Sequence, residues 1–465
     1  MARYPFHTTA AIATAALLLY GAHRLRPEVR LPDASLWTSL VDYTPERTPV
    51  SPRIRIRRPE EAAAPTRPPT AKIQIVRLLE DDRGALDHFY ASLWRTEKKE
   101  PGAITRVAHY GDSPTTGDLI TGDVRELLQR RYGDAGRGFT LLAKPWAWYQ
   151  RRYVEVSGSG WKIDPALHYG VRDGAFGYGG VAFGANGGAR SRIRFFRPVD
   201  TVELWFERHP DGGRVDLAAG DEEAGSVDTA GDDGAPGYAS IRLPAGARQV
   251  EIAASGGPVT LYGLALDRAA PGVVYDCLGL NGGSITVLAR IIGARNLTEQ
   301  LRHRKPDLVV INYGTNESSF AAYIDKYYEK ELREAIRRVR AALPQSSILV
   351  MSPMDRGERA DGVIRTLPTI PRLVAIQRRV ALDTGCGFFN TYEAMGGEGT
   401  MARWYDAQPR LVAADFIHPS PQGGRIVAEV LVKEIGQGLN RYKLRSLTQP
   451  SRPPAPLTQT AKVVP

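Results

Sequence analysis

The sequence predicts an α/β protein: a parallel sheet covered by helices on both faces, with an all-β segment inserted into it. Three observations carry that prediction. Five short apolar runs recur along the chain with helical patterns between or after them. One long stretch, residues 158–267, drops that rhythm for Gly-rich runs of period two. Both ends of the chain are rich in Pro and lack the periodicity of packed elements.

The five runs are Ile104 to Tyr110, Val273 to Cys277, Leu308 to Tyr313, Ile348 to Ser352 and Gly387 to Phe389. After the first, Leu119, Ile120, Val124, Leu127 and Leu128 recur at helical spacing. After the third, Tyr327, Leu332, Ile336, Val339 and Leu343 do the same, and Ile426, Val430 and Ile435 mark a last helix. Strands alternating with helices need crossovers, so they pair in parallel and bury both faces.

The interrupting stretch holds Ile193 to Phe196, Val202 to Phe206, Val215 to Leu217, Ala239 to Leu243, Val250 to Ile252 and Val259 to Tyr262. Turn residues such as Pro210-Asp211-Gly212-Gly213 and Asp233-Gly234 separate them. Short alternating strands with Gly turns read as a β-sandwich or jelly roll. The expected division is 1–22 leader or anchor, 23–71 Pro/Arg-rich linker, 72–157 first part of the α/β domain, 158–267 inserted β domain, 268–442 second part and 443–465 disordered tail.

A hydrophobic content of 43% and a charged content of 24% are those of a folded chain and exclude wholesale disorder. The net charge of +10 admits an anionic partner, but no zinc finger, ribonucleoprotein strand or basic heptad helix accompanies it, so no nucleic acid is expected. Two cysteines, Cys277 and Cys386, exclude a disulfide framework and offer no metal spacing; both read as buried free thiols. The apolar run from Thr8 to Ala22, preceded by Arg3, has the length of a signal-peptide core. Export to the periplasm or cell envelope is expected, with the segment either cleaved near Tyr20-Gly21-Ala22 or retained as a membrane anchor. Arg24, Arg26 and Arg30 follow the run, where a leader ordinarily places its charge ahead of it.

Four polar segments carry the chemistry. His109-Tyr110-Gly111-Asp112-Ser113 ends the first strand, so Ser113 falls at a strand-to-helix turn where backbone N–H groups favour negative charge. Asp415-Phe416-Ile417-His418 spaces a carboxylate and an imidazole so that one can orient the other. Gly314-Thr315-Asn316-Glu317 follows the third strand, and an amide there can donate to an oxyanion. Gly279-Leu280-Asn281-Gly282-Gly283 follows the second strand and offers a glycine N–H to the same oxygen. Each is weak alone, since turns and caps use the same residues. Three of the four lie at the carboxyl ends of parallel strands, where ligands collect.

In order and content these four blocks resemble those of the SGNH (GDSL-like) hydrolases, over roughly residues 72–157 and 268–440. The resemblance implies a flavodoxin-like three-layer fold with strand order 2-1-3-4-5. It implies a triad of Ser113, Asp415 and His418, and an oxyanion hole of Ser113, Gly282 and Asn316, with no metal and no cofactor. Glu317 departs from the usual Asp of its block, which leaves the local hydrogen bonding open. The β insertion, Gly396 to Trp404 and Tyr132 to Phe139 resemble bacterial peptidoglycan O-acetylesterases, whose insert is like a carbohydrate-binding module. That implies a serine esterase removing O-acetyl groups from an acetylated wall glycan through an acetyl-serine. The same residues also serve an O-acetyltransferase, an esterase of another glycan or of lipid, and a wall-binding protein without catalysis would be expected to lack one of the triad. His109, Trp205 and Phe206 read as core; Trp146, Trp148 and Tyr149 read as core or as a sugar-stacking cluster.

Overall fold

In the computed structural model, residues 77–232 and 234–448 are described. The expected leader, linker and most of the tail lie outside them. Among the described residues no helix is long and apolar enough to cross a membrane.

The central sheet has six strands: β1 (Leu79–Glu80), β2 (Ile104–Gly111), β3 (Gly272–Gly279), β4 (Leu308–Asn312), β5 (Ser347–Met351) and β6 (Gly387–Phe389). Their spatial order is β1-β6-β5-β4-β2-β3. The five strands legible in the sequence thus stand in the order 2-1-3-4-5, all parallel. The short β1 adds an antiparallel edge beside β6 that the hydrophobic pattern did not reveal. Cys277 on β3 and Cys386 just before β6 are buried free thiols, four strand spacings or about 19 Å apart.

Strand alternation sends side chains to two faces. Val107, Val273, Val310 and Leu349 pack with α1 (Asp87–Glu97), α2 (Thr121–Tyr132) and the long α6 (Pro421–Thr448) through Phe89, Leu128 and Leu431. Ala108, Val309, Ile311 and Val350 face α3 (Ala294–Arg304), α4 (Glu329–Ala342) and α5 (Thr369–Asp383) through Leu301, Ile336 and Leu373. Two helical layers therefore enclose the sheet, the three-layer arrangement expected.

Residues 136–267 form two antiparallel sheets. One runs Glu222–Asp228, Arg214–Ala219, Gln249–Ser255, Arg190–Phe195, Val154–Ser159. The other runs Pro236–Arg242, Thr201–Glu207, Val259–Asp267, Val181–Ala185, Lys162–Pro165, with Gly136–Thr140 also paired to Val259–Asp267. The strand Val154–Ser159 crosses the expected boundary at 157/158, and the pairing of 136–140 with 264–267 brings the segment's two ends together well upstream of it. Inner-face residues of both sheets, Ile193, Leu217 and Ile252 on one and Leu204, Leu261 and Leu264 on the other, share one core with Ala108 and Ile311 of the central sheet. The junction is polar as well as apolar. Buried Asp276 of β3 accepts from Arg304 Nε at 2.8 Å, from Phe139 N at 2.8 Å and from Tyr178 Oη at 3.1 Å. Arg304 also grips Asp267 at 2.6 Å.

Candidate active site

The turn that carries Ser113 is built by close approach. Ser113 opens a one-turn helix, Ser113–Thr116, directly beyond β2. A Cβ on Gly111 would lie 2.3 Å from Thr115 Oγ1, and one on Gly279 would lie 2.2 Å from Thr116 N. Neither position tolerates a side chain, so the ends of β2 and β3 clamp the turn between them. Behind it, Gln150 N donates to Thr116 O at 3.3 Å, and the buried Arg151 guanidinium donates to the carbonyls of Thr116 and Cys277. Ser113 ends up only 7% exposed.

His418 reaches that serine from a loop 305 residues later in sequence. Its Nε2 stands 2.7 Å from Ser113 Oγ, and its Nδ1 stands 2.6 Å from Asp415 Oδ2. The other Asp415 oxygen accepts from the N–H groups of Ile417 at 2.9 Å and His418 at 3.1 Å, which closes the loop on itself. Phe416 adopts a left-handed φ of 58° to allow this. Burial raises the Asp415 carboxyl's affinity for a proton, but the imidazole and the two backbone donors together hold it below the usual carboxylate range. An ionised carboxylate on Nδ1 keeps the proton there, which leaves the Nε2 lone pair to accept from the Ser113 hydroxyl.

The glycine and asparagine segments flank a cleft of about 630 Å³ lined by Gly282, Ser284, Asn316, Glu317, Phe320 and Tyr323. Gly282 has φ 75°, a backbone state that favours glycine. Asn316 Nδ2 donates one hydrogen to Gly283 O at 2.8 Å, and its amide retains a second donor. The structure therefore brings Ser113, Asp415 and His418 into one hydrogen-bonded chain, and places Gly282 and Asn316 together on one cleft. Asp112, buried beside the serine, is pushed up to about 6 by burial, against hydrogen bonding from Thr315 and the attraction of His418.

Other sequence-marked residues fall elsewhere. His109 is core: its Nδ1 meets Tyr275 Oη at 2.7 Å, and burial pulls it down to about 4. Trp205 is fully buried against Phe139, Tyr178 and Tyr238. Tyr149 is buried and Trp146 packs on the core, whereas Trp148 is half-exposed and donates from Nε1 to Asn281 Oδ1 at 3.1 Å, next to Gly282. Within Gly396 to Trp404, Arg403 folds back on the carbonyls of Gly396 and Glu398, and Met401 N donates to Asp355 at 2.9 Å. No grouping of His, Cys, Asp and Glu suited to a metal occurs among the described residues. Sequence reading missed Arg151 and the Asp276–Arg304–Asp267 cluster. Asp267 and Asp276 are charges at the edge of or within apolar runs, whereas Arg151 and Arg304 stand among polar neighbours and carry no local signal.

A hydroxyl, an imidazole and a carboxylate linked at the carboxyl edge of the sheet are the apparatus of a serine hydrolase, here of the carboxylic ester hydrolase class. Residues 227–426 match the model of the GDSL-like Lipase/Acylhydrolase family. The matched stretch takes in Gly282, Asn316, Asp415 and His418 and begins downstream of Ser113, which the antiparallel segment separates from them. Comparison with curated proteins gave no match. Among solved structures, a peptidoglycan O-acetylesterase is similar in fold at 22% identity, with a TM-score of 0.66 over 78% of this chain and 100% of that one. An acetylxylan esterase from Geobacillus stearothermophilus shares 24% identity over 36% of this chain and 74% of that one, at a TM-score of 0.27. A GDSL-like lipase from Parabacteroides merdae shares 18% identity over 36% and 73%, at a TM-score of 0.28.

Proposed function

We propose that the protein removes O-acetyl groups from an exported wall glycan, peptidoglycan above all, with Ser113 as nucleophile. The observation that carries the reading is the continuous chain Ser113 Oγ, His418, Asp415, with contacts of 2.7 and 2.6 Å. His418 takes the hydroxyl proton as Ser113 attacks the acetyl carbonyl. The N–H groups of Ser113 and Gly282 and the Asn316 amide receive the oxyanion. His418 then returns the proton to the departing sugar oxygen, and water, deprotonated by the same imidazole, releases acetate from the acetyl-serine.

The choice of substrate is supported by fold likeness spanning the whole of a peptidoglycan O-acetylesterase chain and 78% of this one. We read residues 136–267 as an inserted β-sandwich that helps present the polymer. Its five-stranded sheet carries an open groove of about 620 Å³ lined by polar groups, among them Ser157, Arg192, Asp216 and Glu251. Such groups suit sugar hydroxyls; Trp205, Phe206 and Phe183 are buried away from it, whereas the half-buried Trp161 donates from Nε1 to Ser191 Oγ on the groove wall at 2.8 Å.

Acetate release from O-acetylated peptidoglycan, run beside acetylated xylan, tests the reading. A higher kcat/KM on peptidoglycan is expected. Equal or faster turnover of xylan would overturn the substrate, and acetyl transfer to added glycan in place of acetate release would make the protein a transferase.

A further inference from the structure

Glu317 is the buried ionisable group beside the cleft that ester hydrolysis leaves unused. It is 3% exposed. Its Oε1 accepts from the backbone N–H of Ile285 at 2.8 Å, and its Oε2 has no hydrogen-bond partner among the described residues. The preceding residue, Asn316, holds Gly283 O at 2.8 Å. Two consecutive side chains therefore fasten the 280–285 turn on both sides of Ser284. That turn closes through Gly283 N to Leu280 O at 2.9 Å and contains Gly282.

A carboxyl is not needed to tie down one N–H, since a glutamine oxygen accepts the same bond and is cheaper to bury. What a carboxyl adds is a charge that comes and goes. The ionisable groups facing Glu317 are acids: Asp112 beyond β2, Tyr313 beyond β4, and Tyr323 and Tyr328 from the segment that precedes α4. The Arg356 guanidinium reaches the same loop but binds Thr315 O at 2.8 Å and Ser318 Oγ at 3.0 Å. Beyond Asp112, His418 belongs to the same electrostatic group. Among the described residues no cation pairs with Glu317, so an anion there would be buried uncompensated, on the cleft it shares with Gly282 and Asn316.

We propose that Glu317 is a positioning residue for the oxyanion-binding turn and that it works in its neutral form, so that its ionisation depresses activity on the alkaline side. The proposal rests on the reading that Gly282 and Asn316 receive the oxyanion. A neutral Glu317 holds the turn without opposing the negative charge that develops there, whereas an ionised one repels it. Burial, with Asp112 adding to it, pushes the carboxyl up to about 7 against the backbone hydrogen bonding from Ile285, its own residue and Gly314. The neutral form therefore prevails below that value and is lost as pH rises through it.

The test is kcat and KM on an aryl acetate, from mildly acid to alkaline pH, for the full chain and for Glu317→Gln, Glu317→Ala and Ser113→Ala. Glu317→Gln keeps the Ile285 bond, so it is expected to hold the acid-side kcat within about threefold and to lose the alkaline decline. Glu317→Ala is expected to lower kcat about tenfold to a hundredfold at every pH with KM little changed, less than deleting an oxyanion donor outright. An alkaline decline in Glu317→Gln equal to the wild type's, or an unchanged kcat in Glu317→Ala, overturns the proposal. If the alanine variant does not fold, the pH profile of the isosteric glutamine variant decides alone. Ser113→Ala separates the two readings: activity surviving in it overturns the nucleophile assignment itself, while its loss beside an unaltered Glu317→Gln profile overturns only the role of Glu317.

Discussion

The two sides of the proposed triad are held in opposite ways. Ser113 is 7% exposed and sits in a turn clamped by Gly111, Gly279 and the Arg151 guanidinium. The Asp415 and His418 side chains are 45% and 35% exposed, on a loop closed by its own backbone and by the short bridge between Val412 and Pro419. The backbone of Ser113 is thus determined by tertiary packing, and that of Asp415 and His418 by local hydrogen bonds. Fixing the serine backbone where the strands end aims Oγ without further help. A loop over the surface places His418 on top of it while leaving the ring partly open to water.

That contrast can be broken by substitution. Ser113→Ala is expected to lower kcat on an aryl acetate by about 10⁶-fold, the order seen when a triad nucleophile is removed. The chain should remain folded, because only one buried oxygen is lost. Hydrolysis surviving in this variant would falsify the assignment. Asp415→Asn is expected to cost about 10⁴-fold, because an amide no longer fixes the imidazole tautomer. Since Asp415 is half-exposed, its thermal midpoint should move by no more than a few degrees, consistent with about 1 kcal/mol or less for an exposed pair. A large drop in Tm for Asp415→Asn would show that the loop is structurally coupled to the core. The smallest effect on hydrolysis is expected at the opposite kind of site. Arg304→Met leaves Asp276 buried without its cation and should destabilise the chain by about 3–5 kcal/mol in urea unfolding. Once folded, it should hydrolyse the small ester at close to the wild-type rate. A stability change near zero would mean that the antiparallel segment and the central sheet are not joined through this cluster.

The Asp276–Arg304–Asp267 cluster also bears on where one part of the chain ends and the next begins. The composition shift near residue 158 marks where strand-helix alternation visibly stops, because Gly content and period-two runs are local signals. The strand Val154–Ser159 begins earlier, and Gly136–Thr140 pairs with a strand more than a hundred residues downstream. Excision at 158 would cut a strand and open the core shared by Ile311, Leu264 and Ile193. The segment is therefore not separable at that boundary; a bridge from about 135 to 268 follows the paired ends instead, and it would still uncover Ala108 and Tyr110.

What the sequence by itself determined is everything that depends on neighbours along the chain. The five parallel strands, their helices, and the placement of Ser113, Gly282 and Asn316 just past strand ends all follow from hydrophobic period and turn residues. The Asp415-x-x-His418 pairing was legible for the same reason, since a three-residue reach lies within one loop. Tertiary structure alone decided the meeting of His418 with Ser113 across 305 residues. It also decided the added edge strand β1, the sharing of one core by two sheets, and which aromatic of Trp146, Trp148 and Tyr149 stays at the surface. The environment of Glu317 belongs with these. Whether a carboxyl is solvated or buried beside Asp112 depends on groups that only the fold brings near, and pattern along the chain carries no record of them.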